Sequence, residues 1–241
     1  MNRTVAAIVR KEFGEYRRNK LIIFTMAILP VIFLLVVARQ TFTLPTAAPP
    51  DLLKKALGSA RLFLQLIPLL LPGTVAAYSV IGEREQGALE PILTTPATDA
   101  ELLAGKAIAP LVPAVGLSWL LYAVYVAAAK AFAPAIVFQE MTGGAQIFAE
   151  IVLAPALAGF ATIASLLISA RSNDIRVAQQ LSALTSIPML LAVSVFSFQV
   201  VGLGVLGYIG AAAVIVLIDL VGLRLAAAAF SRERLLSRIG G

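Results

Sequence analysis

IGEREQGALEPILTTPATDAELLAGK, residues 81–106, is a polar stretch set between two apolar ones, each long enough to cross a bilayer. It carries five of the chain's 13 acids: Glu83, Glu85, Glu90, Asp99 and Glu101. Glu83-Arg84-Glu85-Gln86 continues the preceding helix, and Gly87 leaves a place where another backbone can come close. Leu89, Ile92 and Leu93 share one face of a short helix; Pro91 is tolerated only in that helix's first turn, so the helix restarts around Gly87. Thr94-Thr95-Pro96 stops it. Thr98 and Glu101 then have the spacing of a capping box, which starts a second helix leading through Gly105-Lys106 into the next span. A loop that only reconnects two helices takes about 2–8 residues. This bridge, 83–106, takes 24 and is ordered by its caps, so it can transmit a push. Its acids are repelled by an anionic leaflet and face water or a basic protein groove. The plainer alternative is a solvated cap that merely tethers two spans.

Working outward, the 241 residues are 60% hydrophobic and 13% charged. A soluble domain needs about a quarter of its residues charged. The shortfall puts most of the outer surface against lipid and leaves no polar stretch long enough for a separate water-soluble domain. There is no cysteine and no histidine, which removes disulfides, thiol chemistry, thiolate or imidazole metal sites and His-dependent triads together. No cofactor is expected. The net charge of +6 reads as an orientation signal in a membrane chain, not as a nucleic-acid footprint. The charges of the N-terminus continue up to the first apolar run, unlike a cleavable signal peptide.

About 20 apolar residues cross a hydrocarbon core. Six segments qualify: 21–38, 62–82, 107–129, 147–170, 179–201 and 205–227. The expected fold is an all-α integral membrane protein, a single transmembrane domain. It comprises an interfacial helix (1–20), two spans (21–82), the bridge (83–106), four spans (107–227) and a tail (228–241). Only Gly202-Leu203-Gly204 separates the last two spans, which predicts a tight helical hairpin. With the N-terminus in the cytoplasm, 14 of the 19 Lys and Arg lie on the inner side and five outside, favouring both termini within. Four of those five fall in the first outer segment, where PPDLLKKALGSARLF reads as a short amphipathic helix on the outer headgroups. Ahead of the first span, Val5, Ile8, Val9, Phe13 and Tyr16 share one face and basic residues the rest, the pattern of a helix lying flat on the cytoplasmic leaflet.

The bridge resembles the signature of the type-2 ATP-binding-cassette (ABC) permease family. The matching residues are Glu83, Arg84, Glu85, Gly87, Leu89, Glu90, Ile92, Leu93, Thr95 and Pro96, with Glu101, Gly105 and Lys106 following. Arg10-Lys11-Glu12-Phe13 and Arg17-Arg18-Asn19-Lys20 are similar to that family's opening helix. Ala88 departs from it, standing where Thr or Ser is usual. The resemblance implies a coupling helix seated in a cleft of a separate cytoplasmic ATPase subunit, through Glu83, Arg84, Gly87, Leu89, Glu90 and Leu93. It also implies a second copy or a relative as partner, because six spans are half an exporter's usual complement, and a location in the cell (inner) membrane.

This chain has no phosphate-binding loop of its own. Its Gly105-Lys106 is followed by Ala107 and preceded by Ala100 where the first Gly of such a loop belongs. It is therefore expected not to be an enzyme; ATP is bound by the partner. An Asp at mid-span costs about 2.5–3.5 kcal/mol. Asp219 is accordingly either a polar site on a substrate route or one half of a loose pair with Arg224 near the inner headgroups. Glu150, at the outer start of the fourth span, is expected to snorkel to the surface. Gln65, Ser118, Gln179 and Gln180 read as hydrogen-bonding glue between helices. Gly116-x-Ser118 gives no support to a serine protease without histidine. The function expected is a permease subunit of an ABC exporter; the alternative is a secondary transporter or channel that needs no ATPase. A lipid-modifying enzyme would need clustered acids or a nucleophile with its base, and the acids gather on the bridge instead.

Overall fold

The computed structural model describes residues 2–85, 97–172, 174–199 and 204–229. Eight helices run through them: α1 (Arg3–Arg18), α2 (Lys20–Phe42), α3 (Pro50–Glu85), α4 (Asp99–Phe132), α5 (Ala135–Met141), α6 (Gly144–Arg171), α7 (Ile175–Gln199) and α8 (Gly204–Ala229). The described residues contain no strand. Six helices, α2, α3, α4, α6, α7 and α8, are long and apolar enough to cross a membrane. The fold is all-α with six membrane-capable helices, as the hydropathy pattern requires. Internal prolines, such as Pro68 and Pro72 in α3, do not end these helices.

Burial ranks the helices. Of their apolar stretches, 72% in α3 and 56% in α6 is buried, against 18% in α2 and 22% in α8. The parallel pair α3 and α6 is therefore the axis of the bundle. Leu66 and Leu69 of α3 meet Leu153 and Leu157 of α6 in its main core. The outer helices turn Leu35, Leu191, Leu206 and Leu217 outward, which suits a surface bathed in hydrocarbon.

Two expectations need correction. The segment after Pro49 is no separate surface helix. It is the opening of α3, one unbroken helix of 36 residues, about 54 Å long at 1.5 Å per residue. Leu57, Ala60 and Leu64 on its inner face are buried in a core with Val37 of α2 and Leu121 and Tyr125 of α4, so its apolar face finds protein before it finds headgroups. The last two spans, moreover, form no tight hairpin among the described residues. Among the described residues α7 and α8 scarcely meet; α7 packs along α3, and α8 packs along α6. Phe198 of α7 lies on Gly58 of α3, and Gly222 of α8 lies on Ile163 of α6. Small residues let each helix approach the central pair more closely than its sequence neighbour.

Candidate functional site

The bridge joins the end of α3 to the start of α4. Glu83 and Arg84 sit in the last turn of α3. Gly87, Leu89, Glu90 and Leu93 lie outside the described residues. The second half of the bridge is formed as its spacing demands. The Glu101 backbone N–H donates to Thr98 Oγ1 at 3.2 Å, and the Thr98 N–H donates to Glu101 Oε2 at 2.9 Å, closing a capping box. From that cap α4 runs unbroken for 34 residues to Phe132.

The base of α4 is fastened to α1. Val5, Val9, Glu12 and Tyr16 form the buried line of α1, and α1 packs on α4. Thus the amphipathic helix forms where its periodicity puts it, with its apolar face against the foot of a span. Ile8 presses on Gly105 so closely that a Cβ there would lie 2.5 Å from it; only glycine allows the approach. One residue on, Lys106 Nζ meets Glu12 Oε1 at 2.9 Å, with both side chains 1% exposed. Asn2 Nδ2 also donates to Glu101 Oε1. Removing one partner of such a buried pair costs about 3–5 kcal/mol, because the other buried charge loses its counter-charge. The foot of α4 therefore does not shift without carrying α1 along.

Sequence reasoning did not pair these residues. Glu12 and Lys106 are 94 positions apart. The available signal was an acid at helical spacing within an apolar stripe (Val5, Val9, Glu12, Tyr16), since a charge there needs a partner.

Within the bundle the two carboxylates fare differently. Glu150 does not snorkel. It is 1% exposed, and it accepts from Ser118 Oγ at 2.8 Å and from Gln65 Nε2 at 3.1 Å. The Trp119 indole donates to its backbone oxygen at 3.1 Å. Gln65 and Ser118 are the expected glue, and Glu150 is the acceptor they share, tying α3, α4 and α6. It points into the bundle, so its partners are protein groups, not surface water. Asp219 of α8 packs against Gly159 of α6, where a Cβ would come within 2.8 Å of Asp219 Oδ2. Its buried Oδ1 has no hydrogen-bond partner among the described residues. It forms no ion pair with Arg224; five residues on a helix separate the two by about 140° around its axis, too far for the expected pair.

These elements share one arrangement: an opening amphipathic helix locked to the foot of the third span, a capped polar bridge before that foot, and six apolar helices. No curated protein matches the chain. A family model described as ABC-2 family transporter protein matches residues 8–189, which take in α1 from Ile8, the bridge and most of the bundle. The chain belongs to the ABC-2 transporter family, as a multi-pass transmembrane permease of an ABC transporter.

Proposed function

We propose that this permease is the membrane half of an exporter driven by a separate cytoplasmic ATP-binding-cassette ATPase, with the bridge 83–106 seated in that ATPase. In this reading both termini and the bridge are cytoplasmic, in keeping with the 14-to-5 bias of Lys and Arg. Glu83, Arg84, Gly87, Leu89, Glu90 and Leu93 form the contact. A second copy or a relative completes the transporter in the cell (inner) membrane. No cofactor belongs to this chain; ATP belongs to the partner.

The observation that carries the reading is the locked foot of α4. A displacement applied at the bridge enters a capped helix whose foot is joined through Glu12 and Lys106 to α1, so α1 and the foot of α4 move together. Co-purification tests the partner: a chain with nucleotide-binding motifs should accompany the permease out of the membrane, and the permease should stimulate its ATP hydrolysis. Glu90→Arg should abolish that stimulation while membrane insertion persists. Stimulation unchanged in Glu90→Arg would remove the bridge from the mechanism.

A further inference from the structure

The gap between α7 and α8 is the mouth of a cavity of about 340 Å³ floored by α3 and α6. Ligand pockets run to about 300–1,000 Å³. Its walls are graded. At one end stand Arg61, Gln65, Gln146, Ser197 and Tyr208, contributed by four different helices. Further along, every one of those helices that continues down the wall offers only apolar groups, Leu157 and Phe160 on α6, Met189 on α7 and Ile215 on α8. The 14 residue steps from Gln146 to Phe160 cover about 21 Å of helix. That is the depth of one leaflet, half of a bilayer of about 40–45 Å. Beside the mouth, Leu191 and Val195 of α7 and Leu217 of α8 are exposed, apolar flanks that suit a mouth bathed in hydrocarbon.

The polar end is incomplete. Arg61 is 7% exposed, Gln65 4% and Gln146 3%. The Arg61 guanidinium spends Nη2 on Glu140 Oε2 at 3.2 Å, but its Nε has no partner among the described residues. Gln65 spends Nε2 on Glu150, but among the described residues its Oε1 has none, nor has Gln146 Oε1. One donor and two acceptors, each more than nine-tenths buried, thus line the polar end of a slot with an apolar tail. Left unpaired, each is a buried polar group that has given up its bond to water for nothing in return. A wholly apolar guest leaves all three unpaired.

We propose that this slot holds a single-chain phospholipid with a hydroxyl-bearing head, drawn sideways from the leaflet. Its phosphate oxygen accepts from the Arg61 Nε–H, and its head-group hydroxyls donate to Gln65 and Gln146. The tail lies between α7 and α8 and ends near Phe160. Placing the lipid in the outer leaflet rests on the orientation proposed above; the slot itself does not.

The test is photolabelling of the full-length permease in nanodiscs, without any ATPase. The probe is a trace of 16-carbon lysophosphatidylglycerol with a diazirine at mid-tail. Both leaflets are open in a nanodisc and no nucleotide is needed, so neither the orientation nor the exporter reading affects the result. Labels should concentrate on Leu157, Met189 and Ile215. Ile215→Trp, which fills the tail channel, and Arg61→Gln, which removes the head contact, should each cut labelling about tenfold. A lysophosphatidylcholine probe, whose choline has no hydroxyl and which keeps only the free backbone hydroxyl that both probes share, should label several-fold less. If Arg61→Gln weakens the fold through its Glu140 contact, Ile215→Trp still decides the matter. Labelling spread evenly over Leu191 and Leu217 and unchanged in Ile215→Trp would overturn the site, and equal labelling by the choline probe would overturn the head-group assignment.

Discussion

The two ends of the helix order are held together by different means. α1, α3, α4 and α6 are stitched by polar bonds: Glu12 with Lys106, and Glu150 with Gln65 and Ser118. α7 and α8 rest on the central pair through small residues, and Asp219 adds a carboxylate oxygen without a partner among the described residues. Buried polar contacts are all-or-none in their energetics: satisfied they fix one geometry, and broken they are costly. Small-residue packing carries no such penalty and depends instead on close approach of the backbones. The comparison sets a half fixed by buried polar bonds, which includes the foot of α4, against two helices held by steric fit.

The largest expected effect comes from breaking the polar-bonded half. Lys106→Met should destabilise the purified protein by about 3–5 kcal/mol, read as a large fall in Tm in detergent, because buried Glu12 loses its ion-pair partner. The double change Glu12→Met with Lys106→Met should recover most of that loss; a single variant as stable as the parent would show that the pair does not bear on the fold. Next, Glu150→Ala strands the Gln65 N–H and the Ser118 O–H, at about 1–3 kcal/mol for each buried donor. Its Tm should fall well below that of Glu150→Gln, which keeps an acceptor. Equal melting of the two would mean that the acceptor is unimportant.

On the other half the effects are smaller. Gly159→Ala forces a methyl group toward Asp219, with overpacking of about 1–3 kcal/mol. Adding Asp219→Ala should relieve it, and a double-mutant cycle without coupling would contradict the contact. The smallest effect belongs to the cap: Thr98→Ala should cost about 1 kcal/mol, measured as a fall in Tm of a few degrees. Thr98→Ser should be neutral.

How much of this was legible depended on the range of each interaction. The six crossings follow from runs of apolar residues, a local property, and the structure holds all six. The cap at Thr98 was equally readable, since its two members are three residues apart. Contacts between distant segments were not. Nothing local announces that Lys106 reaches Glu12, although an acid within the stripe of α1 shows that a partner must exist. Glu150 has the same history: its burial depends on where Gln65 and Ser118 fall after packing. The expected hairpin failed for a related reason. A three-residue connection brings two helix ends together but does not say which faces match, and α8 matches α6 better than α7. The first half of the bridge, with Gly87, Leu89, Glu90 and Leu93, falls outside the described residues and stands as proposed.

The central claim is that the bridge meets an ATPase in the cytoplasm. The chain has no native cysteine, so a single Glu90→Cys gives a label site without background. Sealed membranes of known orientation are treated with a membrane-impermeant maleimide from either side. The account predicts labelling from the cytoplasmic side alone and protection when the cognate ATPase is bound. Labelling from the outer side, or labelling indifferent to a bound ATPase, would contradict it.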